Sequence, residues 1–177
     1  MTATQTLYLA DLAHASNADL EARLRAGTKP AWDALSGWLF CGWNVAFMAH
    51  LLRIKKFTKG FAEKDGRPMG FNCPTVQNAL GEPWRPKPSL EAPKRFGFYE
   101  VRSTVEGERD HVYPNALLLD YGRGGNAWWE PAKVLRDHLV QVEPSNRDVY
   151  LGKAYVALGP LRVFGGFFVL ERLAKVP

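Results

Sequence analysis

From residue 96 to residue 172 the chain reads as about five β-strands in succession, near 96–105, 115–121, 135–142, 149–158 and 162–172. Apolar, small and aromatic residues alternate along them. Glu106-Gly107, Pro144-Ser145-Asn146 and Gly159-Pro160 supply turn signals between or beside them. Consecutive strands with short connections suit an up-and-down antiparallel barrel.

The front half extends this pattern. Gly37-Trp38-Leu39-Phe40-Cys41-Gly42-Trp43-Asn44 lies in a first strand over 34–44. Trp38 and Trp43 are five positions apart, so alternation puts them on opposite faces. One of them is expected in the core or under the N-terminal helix, and the other beside a cavity. Phe47, Met48, Leu51 and Leu52 recur at helical spacing and predict a short amphipathic helix over 45–52. A second strand follows near 54–62, Asp65-Gly66 marks a turn, and 69–72 is a short strand or bend. Upstream, Ser16-Asn17-Ala18-Asp19 caps a helix over 17–26 that Gly27 stops. Residues 73–95 hold Pro74, Pro83, Pro86, Pro88 and Pro93, which excludes a central strand or a continuous helix. Val76, Leu80 and Trp84 give this segment something to bury, so it is expected to be an ordered crossing loop.

The expected fold is therefore mainly β: a barrel of about seven or eight strands, an N-terminal helix, and a short helix after the first strand. At 177 residues the chain suits one domain with a sizeable core, helical over 1–30 and barrel over 31–177.

Composition narrows the class. Hydrophobic residues make up 46% and charged residues 23%, as in a soluble globular protein. No run approaches the roughly 18 apolar residues of a membrane span, and no secretion signal is evident. Two cysteines, Cys41 and Cys73, do not make a disulfide scaffold. They read as free thiols, small buried hydrophobes in a reduced cytoplasmic protein. The net charge is +5, with basic clusters in 53–59 and 85–95. These point either to an acidic partner or to a solvated strand edge, where lysine discourages edge pairing. No nucleic-acid motif accompanies them, and no nucleic acid is expected as a partner.

Catalytic motifs are scarce. Gly122-Arg123-Gly124-Gly125-Asn126-Ala127 formally matches a dinucleotide fingerprint. That motif needs a βαβ unit, whereas turn-punctuated strands follow here, so the segment reads as a glycine-rich turn. The chain has no phosphate loop and no nucleophile elbow. The four histidines lack zinc-ligand spacing, and neither metal nor cofactor is expected. Asp120 ends an apolar strand and is expected to cap the turn into Gly122, with a pocket position as the alternative.

Strand parity supplies candidate ligand-binding residues. Phe168, Leu170 and Arg172 share one face, with Arg172 at an inner end. His138 alternates with Val140 and Val142, and Lys153 and Tyr155 share a face with Leu151. Arg102 lies in a strand whose parity is ambiguous. The candidate set is Trp43, Arg102, His138, Lys153, Tyr155, Phe168 and Arg172. A one-residue slip would invert each of these assignments.

The order of a Gly/Trp strand, an apolar helix and a Lys-rich strand over 35–61 resembles the bacterial GXWXG-motif proteins, although the Gly-x-Trp-x-Gly spacing is not kept. The run Asn115-Ala116-Leu117-Leu118-Leu119-Asp120-Tyr121 and the strand over 134–142 resemble their C-terminal partner domain. The resemblance implies a lipocalin-like (calycin-type) barrel without an established activity. The leading expectation is non-covalent binding of a small hydrophobic or amphipathic ligand, one with an acidic head if Arg172, Lys153 or Arg102 faces it. An isomerase or cyclase using the same cavity, with His138 and Tyr155 as acid and base, is the first alternative. A protein-interaction module is the second.

Overall fold

The computed structural model describes residues 8–45 and 54–177. Eight antiparallel strands form one closed barrel in chain order: β1 (Trp38–Asn44), β2 (Lys56–Lys64), β3 (Arg67–Cys73), β4 (Phe96–Arg102), β5 (Leu117–Asp120), β6 (Leu135–Gln141), β7 (Val149–Leu158) and β8 (Leu161–Lys175). β8 pairs back onto β1, with Phe40 opposite Arg172. The mainly β barrel expected from the strand pattern is thus present. The first strand starts later than the sequence suggests, because Trp32–Leu35 forms a short helix, α3. The helix expected over 45–52 falls largely outside the described residues. At Asp65 and Gly66, φ is 53° and 72°. Both residues are left-handed, as a two-residue hairpin between β2 and β3 requires.

Alternation places Phe40, Phe61, Tyr99, Val101, Leu119, Leu139, Tyr150, Phe168 and Leu170 in one buried interior cluster. Phe40 meets Phe61 and Tyr150 edge-on, with ring centroids 5.5 Å apart in both pairs. Three interior glycines sit directly across from aromatics: Gly42 from Phe57, Gly70 from Tyr99 and Gly152 from Phe168. Each ring lies over its glycine, and a Cβ at Gly152 would come within 2.0 Å of the Phe168 ring. A larger residue there would therefore expel the ring. Glycines 42 and 152 thus make room for these rings, and with Ala154 beside them this end of the barrel stays roomier than the end filled by Phe40, Phe61 and Tyr150.

The outer wall is covered too. Helices α1 (Leu9–Ala13) and α2 (Asn17–Ala26) lie against β7 and β8, burying Leu9, Leu12, Leu20 and Leu24 with Val140, Leu151, Phe167 and Val169. Ser16 caps α2, its Oγ accepting from the Asp19 N–H at 3.1 Å. The proline-rich crossing is ordered over β1 and β2. The Trp84 indole donates to the Gly42 carbonyl, and Leu80 and Trp84 pack on the outer cluster. Lys56 is buried beneath it, bonded to Asn78 and the Glu82 carbonyl, with the Trp84 ring 3.8 Å away. The solvated-edge reading of 53–59 therefore fails at Lys56 and Lys59. The barrel is closed, β2 is paired on both sides, and both side chains are buried.

Candidate functional site in the barrel mouth

The roomier end of the barrel holds a cavity of about 190 Å³. Its wall is mostly apolar, with Phe57, Leu135, Ala154 and Phe168 inside, Ile54 and Phe96 at the exposed rim, and one polar residue, Asn44, beside them. Its floor is polar: Lys59 from β2, Asn72 from β3, Tyr121 just after β5, and Asp137 from β6. Strands β2 and β6 bring their charged residues inward between apolar inner neighbours. Lys59 stands between Phe57 and Phe61, and Asp137 between Leu135 and Leu139.

These four residues form one network. Lys59 Nζ donates to Asn72 Oδ1 and to Asp137 Oδ2, each at 3.1 Å, and to the Tyr121 hydroxyl. The Tyr121 hydroxyl donates to Asp137 Oδ2 at 3.1 Å. Asn72 Nδ2 donates to the Gly97 carbonyl and to the Tyr121 oxygen. Asp137 Oδ1 is buried and has no hydrogen-bond partner among the described residues.

Burying a charge is costly unless it is paired and hydrogen-bonded. The Lys59 and Asp137 side chains are only 3% and 4% exposed. Four aromatic rings add to the pairing, with Nζ 4.7 Å from the Tyr99 centroid, 5.0 Å from Tyr121, 5.2 Å from Phe168 and 5.7 Å from Phe57. Burial still lowers the proton affinity of the amine, against the pull of Asp137. Burial, then the Asp137 charge, holds the Tyr121 phenol well above its usual range, so it stays a donor.

Of the seven residues the sequence singled out, only Phe168 lines this cavity. Trp43 does face oppositely to Trp38, but it packs on the outer cluster with Leu80 and Trp84, not at the cavity. Arg102 points outward, 2.7 Å from Glu108 and 3.6 Å from Asp120. Arg172 is on the inner parity at the opposite end, stacked over Trp38 and bonded to the Ala34 and Arg147 carbonyls. His138, Lys153 and Tyr155 do meet, but on the outer face of β6 and β7, under α2. There His138 Nε2 contacts the Asp110 carbonyl oxygen at 2.8 Å, and its ring packs on Tyr113 and Tyr155. Lys153 Nζ donates to Glu21 and to the Tyr113 hydroxyl, each at 2.7 Å. The inward reading of these residues fails because helices cover the outside, so both faces of β6 and β7 are apolar and parity loses its sign.

Lys59, Asn72, Tyr121 and Asp137 were missed. For Lys59 and Asp137 a signal was present, a charge flanked at i−2 and i+2 by Phe or Leu in a predicted strand; Asn72 and Tyr121 carry no such signal. Asp120 takes the expected turn role, accepting from the Gly122 N–H at 3.0 Å, and it also pairs with Arg136 at 3.1 Å. β5 and β6 are antiparallel, so 122–127 is a turn and not a nucleotide loop. Burial raises the Cys41 thiol to about 12 and the Cys73 thiol to about 11. Among the described residues no helix is long and apolar enough to cross a membrane.

No protein-family model matches the chain, and neither a curated protein nor a solved structure shows significant similarity to it.

Proposed function

We propose that the protein binds a small, mostly apolar molecule non-covalently in the mouth of its barrel. The observation that carries this reading is the cavity itself: an apolar wall over one convergent polar cluster, the usual make-up of a small-molecule site. An eight-stranded barrel is wide enough to hold one small ligand. An apolar cavity of about 150 Å³ accommodates benzene, so about 190 Å³ suits a molecule of that size or slightly larger. Kinship with lipocalin-like GXWXG-motif barrels belongs to the same proposal, supported by the closed eight-stranded topology.

The rival reading is an isomerase or cyclase, which needs an acid–base pair in the cavity. Asp137 with Tyr121 is the pair that lines it. Chemically unchanged recovery of the bound molecule after incubation favours binding over conversion.

The test is native mass spectrometry, with calorimetric titration of small aromatics, on wild type and Ala154→Leu. Leu at 154 fills the cavity from β7. Wild type should carry or bind a small molecule, and the folded variant should not. Binding that is unchanged by the substitution would place the ligand elsewhere.

A further inference from the structure

We infer that the mouth end of the barrel docks on a lipid bilayer bearing anionic headgroups, with Trp128, Trp129 and the tip of the β7–β8 hairpin entering its interface. The inference stands apart from the cavity reading, since it needs nothing bound inside.

The exposed apolar residues are not scattered. Of the thirteen large hydrophobic side chains that the described residues expose, all but Tyr8, Val105 and Val112 come from the mouth side. They precede β2, open β4, lie between β5 and β6, or belong to the β7–β8 hairpin. Single exposed hydrophobes need no explanation, but a gathering of them at one end marks an interaction surface.

Two projections dominate it. Trp128 and Trp129 are 82% and 68% exposed and meet each other edge-on, with ring centroids 5.5 Å apart. The loop that carries them is held close to the pair. The Asn126 amide accepts from the Phe98 N–H and donates to the Phe98 carbonyl, and Glu130 accepts from the Ala127 N–H at 2.9 Å. The indoles are thus presented to solvent by an ordered loop. The second projection is the hairpin tip. β6 stops pairing with β7 at Val156 and β1 stops pairing with β8 at Phe168, so the tip over 157–162 pairs only with itself. Leu158 and Leu161 are exposed there, and no charge occurs over 154–161. The two strands of the tip bond to each other and Pro160 has no N–H, so little backbone is left to desolvate in an apolar layer.

Charge chooses the partner. Among the described residues, the connections leaving the mouth end (54–55, 74–95, 121–134 and 159–160) hold seven Lys and Arg against three Asp and Glu. Those leaving the far end (65–66, 103–116 and 142–148) hold two against six. Lys55 adjoins Ile54, Lys94 lies two residues before Phe96, and Lys133 adjoins Val134, so cations stand among the apolar residues of the rim. Lysines beside a membrane are drawn to anionic headgroups, and Trp settles at headgroup level. Two separate projections beside an opening give a rigid partner no continuous face, whereas a fluid surface admits both.

The test is flotation of the full chain with vesicles of phosphatidylcholine alone and of phosphatidylcholine with phosphatidylglycerol in equal parts. Wild type should bind the mixed vesicles at least about tenfold more tightly, and raised salt should erase that margin. Trp128→Ser with Trp129→Ser, and separately Leu158→Ser with Leu161→Ser, should each weaken binding about tenfold or more, because two apolar side chains no longer leave water. Lys55→Gln with Lys133→Gln should remove the preference for phosphatidylglycerol. Tyr8→Ser with Val105→Ser, away from the mouth, should bind as wild type does. Wild type that fails to float with the mixed vesicles, or a Tyr8/Val105 variant that loses as much as the Trp variant, overturns the inference. So does self-association in sedimentation velocity that the Trp variant abolishes without any flotation, since that assigns the surface to a second copy of the chain. Equal binding to both kinds of vesicle overturns the choice of headgroup.

Discussion

Two lysines, Lys59 fully buried and Lys153 only half-buried, divide the molecule. Lys59 lies inside the barrel and Lys153 outside it, and both stand among the same partners: a carboxylate, a tyrosine hydroxyl and several aromatic rings. Lys59 Nζ is 3.1 Å from Asp137, and Lys153 Nζ is 2.7 Å from Glu21. Yet burial lowers the proton affinity of Lys59. At Lys153 burial works in the same direction, but the hydrogen bonds to Glu21 and Tyr113 outweigh it and the affinity rises. The acids differ as well. Both Glu21 oxygens are engaged, Oε1 by Arg25 and Tyr113 and Oε2 by Lys153 and Tyr113. Asp137 keeps one oxygen without a partner among the described residues. A saturated cluster of this kind is a fastening, here of α2 to the barrel wall. The cluster beside the cavity lacks that saturation.

This contrast breaks most easily at Lys59. Removing one member of a buried pair leaves the other charge stranded, so Lys59→Met or Asp137→Asn alone should cost about 3–5 kcal/mol. Replacing both by apolar residues is often neutral or stabilising, so Lys59→Met with Asp137→Leu should recover most of that loss in urea denaturation. If each single substitution cost less than Glu21→Gln, the two clusters would not differ as described.

Glu21→Gln should cost less, about 1.5–3 kcal/mol, the range for hydrogen bonds to charged groups. Faster amide exchange should be confined to α2 and the strand under it. Equal acceleration in β2 would mean that the fastening reaches further than its contacts.

The smallest effect is a pH dependence. Burial lowers the His138 pKa from its ordinary 6.5, against the opposing pull of the Asp110 carbonyl. The unfolded chain then binds a proton that the folded one refuses. Stability from this group is complete above about pH 6.5 and is lost as pH falls toward the folded value, at no more than about 1.4 kcal/mol per pH unit. Glu21, whose folded pKa is also lowered, adds a further loss below its ordinary 4.5. His138→Gln should flatten the upper part of the curve between pH 6.5 and 5 and leave the lower part. An unchanged slope in that variant would acquit His138.

The fold was legible because each element carries its own local signal. Ser16 and Gly27 bracket α2, Asp65-Gly66 sets a hairpin, and β6, β7 and β8 keep their alternation within a few residues of their expected ends. The site was less legible for a physical reason. Parity says which residues share a face, but it cannot say which face is inside when both are apolar, and α1 and α2 make the outer face of β6–β8 apolar. His138 and Lys153 were therefore assigned inward. Lys59 was grouped with its basic neighbours, although its inner neighbours are Phe57 and Phe61. The Asp137 that pairs with it lies four strands further along the barrel, a juxtaposition that only the closed barrel creates.

That closure has a temporal consequence. Seven of the eight ladders join strands consecutive in the chain, and each can zip from a local connection. The eighth joins β1 to β8, with Phe40 across from Arg172, and it closes by far the longest loop. Until it forms, the chain is an open sheet with two bare edges, the shape that recruits other chains. The mouth also has no complete rim before then, because β8 carries Phe168 and β1 carries Asn44. The refolding protein is therefore a ribbon first and a vessel last, and the lifetime of the ribbon sets how much of it is lost to aggregation.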